Sequence, residues 1–313
     1  MYGLLALIVG ALTSVQGRVN GQLGTDIHSA LGAAIISNLI GWAILWVLLL
    51  VRRSDRAGFI ELVRATRAGE LRWWILFAGI GGTLYVSMQA IAVPQIGVGI
   101  FTICIVGGQA LSSLVVDKIG FSSKGKEHIT WPRVFMAVMT LIAVTVAVYP
   151  ELGKSNFKLI TILLCISAGI VGSFQFAMNS QINETSGRPI VTSWLNFFVG
   201  TFFIAIALGV DIAQGGSIGN LPGNPWVYIG GPCGLIFIAV AANVIKTLGV
   251  LNFVLFSVTG QLLGALLLDW LIPAHKGALN GFLITGTAIT LSSIAISRYL
   301  QSVPGNARGL SKH

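Results

Sequence analysis

Residues 14–23 read SVQGRVNGQL, and residues 173–182 read SFQFAMNSQI. The two segments share Ser, Gln, Asn and Gln at the same spacing, with equivalent residues 159 positions apart. Within each segment the first Gln and the Asn are separated by four positions, so they lie on one face of a helix. Both segments end a long apolar run, where amide side chains are costly unless they find polar partners. These four amides are Gln16, Asn20, Gln175 and Asn179.

The composition indicates a polytopic membrane protein. Of the 313 residues, 55% are hydrophobic and 9% are charged, and the mean hydropathy is +0.86. Soluble domains carry roughly 25% charged residues, so this chain has too few polar groups to cover a globule in water. We attribute the net charge of +9 to loop charges that set membrane topology, and no nucleic-acid partner is expected.

Patterns typical of catalysis, metal binding or cofactor binding are absent from the sequence. The three cysteines lie in apolar runs without the spacing of metal ligands. None of the ten acidic residues lies in the middle of an apolar run, and the four histidines lie in predicted loops or the tail. We therefore expect no enzyme, no metal and no cofactor, and no central carboxylate relay of the kind that proton-coupled carriers use.

Ten apolar runs are long enough to cross a bilayer, which requires about 20 residues per helix. The turns after the third and eighth runs are short, at Pro94-Gln95 and Lys246-Thr247, and predict two antiparallel hairpins. Residues 57–72 are predicted to form a solvated loop, with a short basic amphipathic helix as the alternative. The runs lie near residues 3–23, 31–51, 73–93, 96–116, 133–150, 157–181, 190–211, 226–246, 249–270 and 279–299.

Lysine and arginine are distributed unevenly between the two sides of the predicted membrane. Fifteen of the 19 fall in loops or in the tail on the same side as the N-terminus. Cytoplasmic loops carry an excess of Lys and Arg, so both termini are predicted to be cytoplasmic. Residues 301–313 are predicted to form a cytoplasmic tail.

A second motif is repeated with a different offset. The segment GQALS at residues 108–112, followed by Asp117, matches GQLLG at residues 260–264, followed by Asp269. Equivalent residues in this motif are 152 positions apart. The chain therefore contains two copies of one structural unit.

The two motifs divide the chain into two five-helix units, residues 1–150 and 151–300. Because five is odd, the units must cross the membrane in opposite orientations, which is a recurrent transporter design. We predict an all-α polytopic membrane protein with ten transmembrane helices arranged as two inverted five-helix repeats.

Six amide side chains have two interpretations. They either form interhelical hydrogen bonds worth about 0.6 to 2 kcal/mol each, or they face a central cavity and hold a polar solute through their donors and acceptors. The two roles are compatible, and the sequence leaves both open. The candidate substrate-binding residues are Gln16, Asn20, Gln175, Asn179, Gln109 and Gln261.

Three charged residues lie within or at the end of apolar runs. Asp117 is predicted at the inner end of the fourth run and Asp269 near the outer end of the ninth. Each is either a helix-end residue or a gate at one mouth of a pathway. Arg18 lies in the outer half of the first run, where it either snorkels to the outer head groups or attracts anions to an outer vestibule.

The repeated motifs resemble those of the YdcZ-type family of the drug/metabolite transporter superfamily. The resemblance rests on the Gln-x-x-x-Asn pairs of runs one and six and on the pattern Gly-Gln-x-Leu-x-x-Leu-x-x-Asp that closes runs four and nine. It covers nearly all ten runs and implies an EamA-like inverted-repeat carrier in a bacterial-type inner membrane. Half-length members pair as antiparallel dimers, and this chain resembles their fusion. Related small multidrug carriers use a membrane Glu in their first helix, which this chain lacks.

From these observations we expect a secondary active transporter that moves a small metabolite or drug-like solute across the cytoplasmic membrane by alternating access. Its partners would be that solute and the lipid bilayer, and the protein would act as a monomer or a homodimer. Two other classes stay open. A non-transporting membrane assembly or sensor protein would require a protein partner, and a channel would show no counterflow.

Overall fold

The computed structural model describes residues 2–121, 125–126, 129–152, 156–248, 250–274 and 277–302. Within these ranges the chain is built from helices and connecting turns, without a β-strand. The α-helices are α1 (Tyr2–Asp26), α2 (Ala30–Val51), α3 (Arg53–Arg67), α4 (Gly79–Ile119), α5 (Trp131–Val148), α6 (Asn156–Ser186), α7 (Pro189–Ala213), α8 (Gly230–Leu248), α9 (Val250–Leu271) and α10 (Gly281–Ser302). Short 3₁₀ turns lie at Trp73–Ala78, Tyr149–Glu151 and Pro225–Tyr228.

Eight helical segments of the described chain are long and apolar enough to cross a membrane. This confirms the predicted class, an all-α polytopic membrane protein. Two differences separate these eight segments from the ten predicted runs. The third and fourth runs form one helical segment, Trp73–Ile119, and α8 is not among the eight.

Helix α4 reverses direction at Gly97. Gly97 has φ 81° and ψ 165°, a backbone conformation that essentially only glycine adopts. The rings of Tyr85 and Phe101 lie 5.6 Å apart, whereas 16 residues of a continuous helix would span about 24 Å. Residues 79–96 and 98–119 are therefore two arms of a hairpin, which we call the first and second arms of α4.

Both predicted hairpin turns are displaced along the chain. The first was expected at Pro94-Gln95, but these residues remain helical and the break comes at Gly97. The second was expected at Lys246-Thr247, but these residues lie inside α8, which extends to Leu248. Gly249, between α8 and α9, lies outside the described residues.

The prediction of a solvated loop at residues 57–72 was wrong over most of its length. Arg53–Arg67 is a helix that buries Asp55, Gly58, Leu62 and Ala65. These positions recur every three or four residues, so one stripe of α3 packs on the protein and the other faces are exposed. Asp55 in the first turn and basic residues in the last turn also favour a helix, because they complement its dipole.

The second arm of α4 forms the centre of the bundle. Residues 96–108 are buried without interruption, as expected for a helix that is apolar on all sides. Ile100, Phe101 and Ile103 are at most 1% exposed. They belong to a core that also contains residues of α5, α6, α9 and α10.

Glycines allow four close helix contacts. A Cβ atom on Gly10 of α1 would overlap the backbone of Ser257 in α9, and one on Gly260 would overlap the backbone of Leu7. In the same way Gly108 of α4 lies against Ile166 of α6, and Gly169 lies against Ile105. Small residues at these crossings let the backbones approach closely. The four pairs are Gly10 with Ser257, Gly260 with Leu7, Gly108 with Ile166, and Gly169 with Ile105.

The beginning of α1 and the end of α10 lie on the same side of the bundle. The Cβ position of Gly3 lies 3.2 Å from the Phe256 ring, and the guanidinium of Arg298 lies 5.3 Å from the centroid of the same ring. The Ser297 hydroxyl also donates to the Pro132 carbonyl at the start of α5, at 2.9 Å. The beginning of α1 and the end of α10 are therefore neighbours. Of the predicted tail, residues 301–302 still belong to α10, and residues 303–313 lie outside the described part of the chain.

Candidate functional site

A buried amide cluster connects α1 with the first arm of α4. Asn20 Nδ2 donates to Gln89 Oε1 at 2.8 Å, and both side chains have 0% exposure. Gln89 Nε2 lies 3.4 Å from the Thr13 carbonyl oxygen, to which it donates. Gln16, one turn before Asn20, is 6% exposed. Gln16 and Asn20 thus share one buried face, as their spacing predicts.

Gln261 joins this cluster through a tyrosine. Gln261 Nε2 donates to the Tyr85 hydroxyl at 2.8 Å, and that hydroxyl also interacts with the side chains of Thr13 and Gln89. The result is a connected set of uncharged donors and acceptors from α1, α4 and α9. We call Gln16, Asn20, Tyr85, Gln89 and Gln261 the first amide cluster.

Glycines of α8 lie directly over the first amide cluster. A Cβ atom on Gly234 would lie 3.2 Å from Gln16 Nε2, and one on Gly230 would overlap Asn20 Oδ1. Asn20 Oδ1 is fully buried and has no hydrogen-bond partner among the described residues. Buried polar atoms normally have a partner, so this oxygen is an unused acceptor directly beneath the glycines of α8.

A second amide cluster lies between α6 and α7. Gln175 Nε2 donates to Asn196 Oδ1 at 3.0 Å, and Asn196 Nδ2 donates to Asn179 Oδ1 at 2.8 Å. Asn196 Nδ2 also donates to the Thr192 carbonyl at 2.7 Å. All three amides are half-buried. We call Gln175, Asn179 and Asn196 the second amide cluster.

Glycines of α4 lie over the second amide cluster. A Cβ atom on Gly82 would lie 2.9 Å from Gln175 Nε2, and one on Gly81 would lie 2.8 Å from Gln175 Cβ. Each predicted Gln–Asn pair therefore lies under a glycine face of a helix that is distant in sequence.

Gln109 is placed beside α6, close to the second amide cluster. Its backbone carbonyl accepts from the Ser173 hydroxyl at 3.1 Å, and its Nε2 lies 3.4 Å from the Cβ position of Gly172. The Gln261 carbonyl accepts from the Ser14 hydroxyl at 2.6 Å. The two predicted Gln residues of the second motif therefore make the same backbone contact, with a Ser of α1 or of α6.

Asp269 binds the beginning of the second arm of α4. Its carboxylate accepts from the backbone N–H of Val98 at 3.0 Å and from that of Gly99 at 2.6 Å. The first N–H groups of a helix lack intrahelical partners, and a negative charge near them is favourable. Asp269 is 2% exposed, so this carboxylate holds the α4 hairpin to α9.

The equivalent residue Asp117 has a different partner. Its Oδ2 lies 2.6 Å from Arg133 Nη2 at the start of α5, and the two side chains are 18% and 25% exposed. The two predicted gate residues therefore lie at helix ends, but they bind different chemical groups.

Arg18 extends toward the end of α9. Its Nε donates to the Ile272 carbonyl at 3.0 Å, and its Nη1 donates to Gln22 Oε1 at 3.1 Å. Its charge also interacts with those of Asp269 and Asp26. A cation beside the last carbonyls of a helix is favourable. Arg18 therefore connects α1 to the end of α9, close to Asp269.

Comparison with known proteins identifies the family. The sequence profile DMT_YdcZ, described as "Putative inner membrane exporter, YdcZ", matches residues 1–146 and 160–296. The chain belongs to the YdcZ family. A solved structure described only as "Crystal structure of protein" aligns over 96% of this chain and 98% of its own, with a TM-score of 0.60 and 17% identity. That likeness concerns the fold alone, and no curated protein matches.

Membership of the YdcZ family confirms the resemblance inferred from the repeated motifs. The family description makes the chain an inner-membrane protein of an exporter family, a class that is generally not enzymatic. Within the described residues, no group of three His, Cys, Asp or Glu side chains is placed to bind a metal ion.

Three residues of the amide clusters of this YdcZ-family chain were missed at the level of sequence: Gln89, Tyr85 and Asn196. Gln89 and Asn196 are amides inside apolar runs, a signal that could have selected them. Neither lies in a repeated Gln–Asn pair, however, and their partners are distant in sequence or on another helix. Tyr85 carries no such signal, because a tyrosine in an apolar run is usually a packing residue.

Proposed function

We propose that the protein is a secondary active transporter that moves a small metabolite or drug-like solute across the cytoplasmic membrane. It works by alternating access between two inverted five-helix repeats, residues 1–150 and 151–300. The observation that carries this proposal is a pair of equivalent contacts, Ser14 to the Gln261 carbonyl and Ser173 to the Gln109 carbonyl.

These two contacts support the assignment of repeats because each residue of one contact has its repeat equivalent in the other contact. Ser14 and Ser173 are 159 positions apart, and Gln109 and Gln261 are 152 positions apart. The glycine contacts follow the same rule, since Gly10 meets Ser257 and Gly169 meets Ile105. The first helix of each repeat thus packs on the fourth helix of the other repeat with matching residues. Interchangeable packing of this kind lets an inverted-repeat carrier open to either side.

The glycine covers support a mechanism for access. In each repeat the Gln–Asn pair lies under glycines of the other repeat's third helix, Gly234 over Gln16 and Gly82 over Gln175. A glycine face has no side chains that must change rotamer when it slides away. Movement of α8 would therefore expose the first amide cluster, and movement of the first arm of α4 would expose the second.

The chemistry of the first amide cluster suits a polar solute. An unsatisfied buried polar group costs about 1 to 3 kcal/mol, and Asn20 Oδ1 is such a group. A solute that donates a hydrogen bond to it would recover this cost, which makes the open cluster a binding site. The neighbouring amides offer further donors and acceptors.

The charged helix ends serve as gates in this proposal. Asp269, with Arg18 nearby, closes the outer side by holding α9 on the beginning of the second arm of α4. Asp117 with Arg133 occupies the equivalent place on the inner side. The excess of Lys and Arg in the loops on the side of the N-terminus supports this orientation, with both termini cytoplasmic.

A thermal-stability screen of the purified protein against a broad panel of metabolites and toxic compounds tests the proposal. A ligand at 100 times its Kd stabilises the folded state by about 2.7 kcal/mol. The variant that combines Gln16→Ala with Gln175→Ala should lose the stabilisation. Gln95→Ala is the matched control, because Gln95 bonds to Ile91 and Thr161 outside both clusters.

Four results would decide between the functional classes. A hit that disappears in the double variant and persists in Gln95→Ala supports a site in the amide clusters. A hit that all variants retain places binding elsewhere. Reconstituted protein that passes the hit compound without counterflow is a channel, and the absence of any hit favours a non-transporting assembly or sensor protein.

A further inference from the structure

A groove of about 520 Å³ lies between α9 and α10, and no residue of either amide cluster lines it. Leu255, Phe256 and Thr259 line it from α9, and Leu291, Ile294 and Ala295 line it from α10. Its walls are mostly apolar, because the Thr259 hydroxyl already donates to the Leu255 carbonyl. In a bilayer such a groove faces hydrocarbon chains, which makes a lipid tail its natural occupant.

The rim of the groove carries a cation. The Arg298 guanidinium lies 5.3 Å from the centroid of the Phe256 ring, a distance at which the ring face attracts a cation. Arg298 is exposed, and no acidic side chain of the described residues forms an ion pair with it. Tyr299, which is 70% exposed, completes the rim. The guanidinium is thus positioned by an aromatic ring, and within the described ranges its charge has no acidic counter-ion.

The groove runs along α10 from the end of the helix toward its middle. Arg298 lies near the end of α10, beside the beginning of α1 and of α5, where long basic side chains reach the head-group region. Leu291 lies seven residues earlier in the helix, which is about 10 Å deeper at 1.5 Å per residue. The rim therefore lies at head-group level and the walls extend into the hydrocarbon.

We propose that this groove is a binding site for an anionic phospholipid. One acyl chain packs on Leu255, Leu291 and Ile294, and the phosphate accepts hydrogen bonds from Arg298. A planar guanidinium can bind phosphate through two parallel N–H groups. The uncompensated positive charge favours phosphatidylglycerol over phosphatidylethanolamine, because the ammonium group of the latter already neutralises its phosphate. The site does not depend on the proposed transport activity.

Native mass spectrometry of the delipidated protein, titrated with either lipid of the same chain length, tests this site. We expect phosphatidylglycerol to bind more tightly than phosphatidylethanolamine. Arg298→Gln should weaken phosphatidylglycerol about fivefold and remove the preference, since one basic residue contributes about that factor at an anionic surface. Arg298→Lys should retain most of the preference. Arg67→Gln, the same charge loss at an exposed position of α3, should leave the preference unchanged.

A second variant tests the groove without changing the charge. Ala295→Trp fills the apolar wall at an exposed position and should reduce the occupancy of both lipids. Glycerol 3-phosphate, which offers a phosphate without acyl chains, should not compete. The proposal is overturned if Arg298→Gln keeps the preference, if Ala295→Trp binds lipid as the unmodified protein does, or if glycerol 3-phosphate competes as well as phosphatidylglycerol.

Discussion

At the scale of single residues, Asp269 and Asp117 occupy equivalent positions in the repeated motif but are expected to contribute differently to the free energy of unfolding. The Asp269 carboxylate is buried and accepts from two backbone N–H groups. In Asp269→Asn the amide nitrogen would meet one of these donors, leaving a buried N–H unsatisfied. We expect a loss of about 1 to 3 kcal/mol in unfolding free energy, measured by thermal or denaturant unfolding in detergent.

Asp117→Asn is the matched control for this substitution. Asp117 pairs with Arg133 in a partly exposed position, and such pairs contribute about 0 to 1 kcal/mol. The expected ranking is therefore a clearly destabilised Asp269→Asn and a nearly neutral Asp117→Asn. Equal losses in the two variants would contradict the different roles assigned to the two carboxylates.

At the scale of elements, the α4 hairpin depends on Gly97. The φ angle of Gly97 is positive, and a Cβ atom there would lie 3.1 Å from Asp269 Oδ2 and 3.2 Å from Ala278 Cβ. We expect Gly97→Ala to destabilise the protein by about 1 to 3 kcal/mol. Thermal unfolding in detergent measures this loss.

Gly209→Ala provides the control for the hairpin. Gly209 lies inside α7 with open space around its Cβ position, and alanine is up to about 1 kcal/mol better than glycine in a helix interior. The substitution of glycine by alanine should therefore lower the stability of the protein at position 97 and raise it at position 209. A neutral or stabilising Gly97→Ala would show that the hairpin does not need the glycine conformation.

At the scale of the whole molecule, the proposed alternating access would couple the opening of the two amide clusters. In a background with Ala at positions 104, 165 and 233, Asn20→Cys and Asn179→Cys each place one thiol in a cluster. Gly82→Leu should act as a wedge against Gln175, whose Nε2 lies 2.9 Å from the Gly82 Cβ position. We expect faster modification of the Asn179→Cys thiol by a water-soluble maleimide and slower modification of the Asn20→Cys thiol.

The opposite wedge gives the reciprocal test. Gly234→Leu presses on Gln16 and should speed the modification at position 20 and slow it at position 179. Neither labelling test requires a substrate, because each wedge shifts the population of conformations directly. If each wedge affects only the nearer thiol, the clusters open independently and alternating access is wrong.

Local periodicity and composition were sufficient to predict several features of this protein. The sequence indicated the apolar runs, the shared face of Gln16 and Asn20, and the family, because hydropathy and helical spacing are properties of neighbouring residues. It also showed both repeat offsets. The positions of the hairpin break and of α3 were less accurate, since helix ends depend on capping and on packing against distant segments.

Which residues meet across the bundle depends on the tertiary packing of the helices. Gln89 becomes the partner of Asn20 over 69 positions of sequence, and Asp269 caps a helix start 170 positions away. Glycines of α8 cover the first amide cluster, although the sequence around them does not indicate amide partners. Such contacts follow from how whole helices cross, and helix crossing depends on the packing of every face at once.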